Sequence, residues 1–172
     1  FYFYMFWIPK YLNEYHSLSL AAIGRILWIP FLAQGVANIL GGWFSDLVFV
    51  RTSNTNFARK LVMGVAALLT MPILSVGLIH SYVWIIVLVS LAFFAHGLWI
   101  TNYITSISDI FGKRTTSTVV GLSGSAGAIL SLVLNPVIGY VVSNYSYDPM
   151  WLYSGIMYPV AFIGFHWLIP QI

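Results

Sequence analysis

Between residues 96 and 108 an otherwise apolar stretch carries His96, Trp99, Thr101, Asn102, Tyr103, Thr105, Ser106 and Ser108. In a helix Thr101 and Thr105 share one face with Asn102 adjacent, and Trp99 stands one turn before Asn102 and Tyr103. An amide and hydroxyls can hydrogen-bond a polyol or a carboxylate, and an indole can cover the apolar face of a sugar while donating one N–H. Thr101, Asn102, Thr105 and Trp99 are therefore the first candidates to touch a small polar ligand. The competing use of the same groups is hydrogen bonding between neighbouring helices.

Similar groups recur elsewhere in the chain. Gln34 and Asn38 lie one turn apart just after Pro30, placed either to face a ligand or to cap a kink. Ser125 and Asn135 share a face in a stretch whose Gly121, Gly124, Gly127, Ala128 and Ser131 recur at spacings of three and four, a pattern of close helix packing or of a hinge. Tyr4 and Trp7 belong to the first apolar run. His96, alone among four histidines, falls at apparent membrane depth, either as a proton relay or as a hydrogen-bonded group at a helix interface. Catalysis needs a clustered nucleophile, base or metal set. No histidine or carboxylate pair shares a helix face, cysteine is absent, and Asp46 and Asp109 stand in basic loops. The expectation is a protein that is not an enzyme and holds no cofactor or metal.

The elements that carry these groups are set by composition. Of the 172 residues 60% are hydrophobic and 6% charged, against about 25% charge in soluble domains. The charges sit near the ends of apolar stretches, each close to the ~20 residues that span a bilayer. Expected spans are residues 1–12, 20–45, 60–79, 82–107, 118–142 and 150–169. The first, opening Phe1-Tyr2-Phe3-Tyr4 without a charged flank, is expected to be a helix cut short, in a chain that is a piece of a longer protein. A net charge of +3 spread between the spans argues against nucleic-acid binding. Arg51, Arg59, Lys60, Lys113 and Arg114 fall on one side, so the positive-inside rule places loops 46–60 and 109–114 in the cytoplasm. Asn144-Tyr145-Ser146 matches a glycosylation sequon on the outer side, a match short enough to arise by chance.

Six spans can be two triplets. Phe6-Trp7-Ile8-Pro9-Lys10-Tyr11 parallels Leu98-Trp99-Ile100-Thr101-Asn102-Tyr103, and in the next span of each triplet Asn38 precedes Gly41 and Asn135 precedes Gly139. Inverted triplets of this kind build many secondary transporters.

Gly42-Trp43-Phe44-Ser45-Asp46, followed by Arg51 and Arg59-Lys60, resembles the loop signature of the major facilitator superfamily, with Leu47 where that signature has an arginine. Asp109-Ile110-Phe111-Gly112-Lys113-Arg114 is a comparable acidic-then-basic turn. The strings at 6–12, 28–31, 38–46, 58–60 and 121–124 resemble the anion:cation symporter family, in particular its hexuronate and aldonate transporters, as its C-terminal six-helix half. The resemblance implies an all-α membrane fold and secondary active transport of an organic anion, a hexuronate or related sugar acid, with a proton or sodium by alternating access. Its other wall would be an N-terminal half, and its location the inner membrane of a bacterium. It implies that Gly42 permits tight helix contact, that Asp46 pairs with basic groups, and that Arg51, Asp109 and Arg114 belong to the same loop machinery. The alternatives are transport of another organic anion, a monocarboxylate or phosphate ester, and a transport-dead sensor or scaffold on the same fold.

Overall fold

The computed structural model describes residues 1–172, and every regular element in it is a helix. The order is α1 (Tyr2–His16), α2 (Leu20–Ile26), α3 (Trp28–Thr52), α4 (Thr55–Leu69), a 3₁₀ segment (Met71–Leu78), α5 (Tyr82–Phe111), α6 (Thr116–Asn144) and α7 (Asp148–Leu168). Four helical stretches are long and apolar enough to cross a membrane: Leu20–Thr52, Thr55–Leu78, Tyr82–Phe111 and Thr116–Asn144. Only a helix satisfies its own backbone in lipid, which explains why stretches this apolar take that form.

Local chemistry places the ends. The Ser19 hydroxyl accepts from the Ala22 N–H, and the Asn54 side chain accepts from the Phe57 N–H, capping α2 and α4. Gly112 ends α5 at φ 72, a backbone that strains any residue with a Cβ. Leu27 interrupts the helix just before Trp28-Ile29-Pro30, so the expected span 20–45 becomes α2 and α3, and α3 continues to Thr52. Pro72 opens the 3₁₀ turn that finishes the third stretch.

Two seams hold the bundle. Phe3, Ile8, Tyr11 and Leu12 of α1 pack with Ile85, Val89 and Phe93 of α5 and Trp151 of α7 in a large aromatic core. A second, of small residues, joins α3, α4 and α5 through Ala37, Val62, Ala66 and Leu98. At Gly97 a Cβ would lie 2.7 Å from the Ala37 Cβ and 2.7 Å from the Gln34 carbonyl oxygen, and at Gly41 one would lie 3.1 Å from the Leu98 Cα. These two glycines let the α3 and α5 backbones touch.

In contrast, α6 buries only Ile138. A Cβ at Gly121, Gly124 or Gly127 would meet nothing within 4 Å. The N-terminal half of α6 thus has no close packing partner at these glycines, whereas Gly139 nearer its C-terminus lies against Trp7. The two asparagine–glycine pairs noted in sequence take parallel positions. Asn38 and Gly41 of α3 lie against α5, while Asn135 and Gly139 of α6 lie against Trp7 of α1.

Candidate functional site

The candidates fall into three groups. The first joins α1 to α6. The Trp7 indole N–H donates to Asn135 Oδ1 at 3.1 Å, and the Asn135 amide donates to Ser131 Oγ at 3.3 Å, one turn earlier. The six-membered edge of the same indole rests over Gly139, where a Cβ would come within 3.3 Å of it. Tyr4 and Asn135 line a cleft of about 390 Å³ between α1, α6 and α7, together with Ser131, Ser154 and Tyr158. Tyr4 is 3% exposed, and its hydroxyl has no hydrogen-bond partner by geometry. On the other side of Trp7, Phe6, Trp7, Lys10 and Asn135 border a wide groove of about 400 Å³.

The second group follows the α3–α5 seam. Asn102 is 0% exposed, and its amide donates to the Gly41 carbonyl at 3.0 Å and to the Leu98 carbonyl at 2.9 Å. Its Oδ1 is buried without a partner. Thr101 donates to the Asn38 carbonyl at 3.2 Å, and Thr105 back-bonds to the Thr101 carbonyl at 2.7 Å. The Asn38 side chain is exposed and Gln34 half-buried. The hydroxyls and amide of α5 are thus engaged with backbone, whereas the α3 amides are less enclosed, although Asn38 Oδ1 still lies against Gly97 of α5.

The third group stands apart. Trp99 turns away from Thr101 and meets Tyr158 of α7 edge-on at 5.5 Å between centroids. Tyr158 is also hydrogen-bonded to His96 Nδ1, and the His96 ring stacks on Phe1 at 4.3 Å. His96 is therefore a hydrogen-bonded group between α5 and α7. Ser125 lies exposed on the outer face of α6, away from the cleft.

The loop motif is organised by a residue that the sequence reading left among the general basic loop charges. Arg59, near the start of α4, reaches Ser45 Oγ at 2.8 Å, Asp109 Oδ2 at 3.2 Å and Asp46 Oδ1 at 3.8 Å. It ties the ends of α3, α4 and α5 together. Arg51 and Arg114 are exposed and make no ion pair. Tight helix contact, expected at Gly42, falls on Gly41 instead; at Gly42 a Cβ would meet nothing within 4 Å. The cause is rotational, because adjacent residues on a helix are 100° apart and only one can face α5. Beside this cluster, Lys60 is 6% exposed and caps α7 by donating to the carbonyls of Ile169 at 2.6 Å and Pro170 at 3.0 Å.

Two signals for the missed residues were present in sequence. Arg59 follows the N-cap of α4 within a loop that also holds Asp46, and Lys10 lies three residues after Trp7.

Comparison with known proteins agrees with this architecture. The chain is 27% identical over 162 residues to a D-galactonate transporter of Escherichia coli O6:H1, covering 94% of this chain and 37% of that protein. It is 29% identical over 146 residues to a hexuronate transporter of Escherichia coli K12, covering 84% of this chain and 34% of that one. A probable sulfoacetate transporter of Cupriavidus necator is 30% identical over 172 residues, covering 97% of this chain and 39% of that protein. The chain thus spans less than two fifths of the length of these relatives. The profile of the Major Facilitator Superfamily matches residues 1–171, from α1 through the end of α7. With its apolar helices and this match over nearly its full length, the chain is an integral membrane protein that belongs to the Major Facilitator Superfamily.

Proposed function

We propose that this chain is the C-terminal six-helix half of a secondary active transporter that carries a sugar acid, a hexuronate or aldonate, together with a proton or sodium ion. Alternating access moves the anion between this half and an N-terminal half. The observation that carries the reading is the groove of about 400 Å³ in which the Trp7 indole and the Asn135 amide border open space beside Lys10. An indole and an amide suit a polyol, and polar groups on membrane helices are costly unless they meet a ligand, water or another helix. The names of the galactonate and hexuronate relatives support the substrate class. Positive charge in loops 46–60 and 109–114 supports a cytoplasmic position for them, and the bacterial relatives support an inner membrane.

The test is uptake of labelled D-galactonate, D-glucuronate and D-glucarate by the intact transporter in proteoliposomes, with and without a protonophore. Uptake abolished by collapse of the proton gradient is the expected result. Uptake indifferent to it, but dependent on sodium, moves the coupling ion without moving the substrate class. The sulfoacetate relative favours a second reading, a small organic anion without a polyol chain. Competition of labelled uptake by sulfoacetate but by no sugar acid selects that reading.

A further inference from the structure

The chain has seven lysines and arginines. Arg51, Arg59, Lys60, Lys113 and Arg114 lie at the end marked by Asp46 and Asp109, where Arg59 and Lys60 are committed to Ser45, Asp109 and the α7 carbonyls. Arg25 is exposed on α2 and back-bonds to the Ala21 carbonyl. Lys10 alone stands beside candidate ligand groups. Its ammonium lies 5.2 Å from the centroid of the Trp7 ring, and it shares the 400 Å³ groove with Phe6, Trp7 and Asn135.

Its present partner is weakly held. Lys10 Nζ is 3.7 Å from Glu14 Oε1, one turn along α1, with the two side chains 44% and 45% exposed. An ion pair this open contributes little. Glu14 has a second attachment, because the Tyr147 hydroxyl at the start of α7 donates to its other oxygen at 3.1 Å. Burial, and then the Glu14 carboxylate itself, push the Tyr147 phenol above its ordinary range, so that hydroxyl keeps its proton to donate. Glu14 therefore has somewhere to stay when Lys10 changes partner.

We propose that Lys10 binds the carboxylate of the transported anion, and that Glu14 is the resting counter-ion which the anion displaces. The inference rests on the function proposed above and adds to it the charged anchor within this half. A carboxylate at Lys10 sets the carbon chain of a polyol along the Trp7 ring. The second amide hydrogen of Asn135 then lies beside its hydroxyls, because the first is taken by Ser131 and the carbonyl by the indole. A lysine, a point charge on a flexible stem, suits a carboxylate entering an open groove.

The experiment uses the intact transporter in proteoliposomes and D-galactonate as probe. Lys10→Gln raises KM for uptake about 10- to 100-fold, the range of a lost hydrogen bond to a charged group. Lys10→Arg recovers most of that, and Glu14→Gln, which removes the competitor, lowers KM. A Phe6→Cys variant in a cysteine-free transporter, which keeps Lys10 and lines the same groove, reads occupancy directly. Saturating galactonate slows its labelling by a thiol reagent, whereas galactitol, of the same carbon length but without the carboxylate, does not. Should Lys10→Gln fail to reach the membrane, this labelling decides the matter. A KM within twofold of wild type in Lys10→Gln, or labelling equally indifferent to galactonate and galactitol, overturns the role of Lys10 and leaves the transport reading standing. A wild-type transporter that carries no organic carboxylate overturns both.

Discussion

At the scale of single residues, the decisive question is whether a polar group still has hydrogen-bonding capacity once the helices have packed. Asn102 spends its amide on the Gly41 and Leu98 carbonyls. Asn102→Ala is expected to lower the melting temperature of the intact transporter, a loss of about 1 kcal/mol for one interhelical hydrogen bond, with KM within twofold of wild type. A raised KM at unchanged melting temperature would instead return Asn102 to the binding face. Asn135 is the opposite case, since its remaining amide hydrogen is unspent. Removing it also frees the Trp7 indole, so Asn135→Ala and Trp7→Phe are expected to raise KM together and non-additively, with the double variant no worse than the worse single one. KM effects that multiply would mean the two residues act separately. Residue types were legible in the sequence, because an amide and hydroxyls at membrane depth announce either a ligand or a neighbouring helix. Which of the two applies depends on helix rotation, as the different directions of Trp99 and Thr101 on one helix illustrate. Lys10 was equally visible, but as one residue of the first apolar run it carried no sign that its ammonium would stand over the Trp7 indole.

At the scale of elements, apolar length and turn chemistry made the helices legible, while their breaks and closest approaches were not. The interruption at Leu27 and the 3₁₀ turn after Thr70 arise at prolines whose effect on helix geometry depends on what packs around them. The seam between α3 and α5 shows what packing adds. Gly97→Ala would set a methyl 2.7 Å from both the Ala37 Cβ and the Gln34 carbonyl, and overpacking of this kind costs about 1–3 kcal/mol. Its expected effect is a lower melting temperature and reduced transport. Gly124→Ala meets nothing within the chain, so any loss it causes in the intact transporter reports a helix from the other wall. Equal losses from both changes in the 172-residue chain alone would contradict the contrast. The C-terminal ends of α1 and of the 3₁₀ segment carry a pH dependence. Burial, and then the neighbouring His80, hold the His16 imidazole below its ordinary 6.5, within a polar pocket shared with Tyr11, Tyr15, Tyr147 and Asp148. The fold prefers neutral His16, so the unfolded chain binds more protons and stability falls as pH drops through about 6.5. Melting temperatures measured across that range should decline in the wild type and decline less in His16→Gln.

At the scale of the whole molecule, the two ends of the bundle are held by different physics. At one end, aromatic contacts among Tyr11, Tyr15, Tyr147 and Trp151 join α1 to α7. At the other, charged hydrogen bonds cross between helices: Arg59 joins α3, α4 and α5, and Lys60 joins α4 to α7. The α3–α4–α5 seam is thus closed by close apolar packing along its length and by Arg59 at its end, a unit suited to moving as one body, whereas α6 meets α1 at Asn135 and Gly139 and leaves Gly121 and Gly124 uncovered by this chain. The sequence showed the acidic-then-basic loops, but their convergence on one guanidinium required the helices to be in place. Arg59→Gln leaves Asp109 without its cation and Ser45 without its donor, and Arg59→Lys cannot restore the fork that reaches both. Both variants are expected to cut the maximal rate of uptake by roughly tenfold or more through loss of a coupled charge cluster, while KM for the anion, under the proposal that it binds near Trp7 and Asn135, stays near wild type. Asp109→Asn added to Arg59→Gln should cost little further, because the pair has already been broken. Asp46, 74% exposed and 3.8 Å away, should matter less than Asp109. A transporter in which Arg59→Gln changes KM and leaves the maximal rate intact would show that this cluster serves the binding face and does not govern the movement of the half as a body.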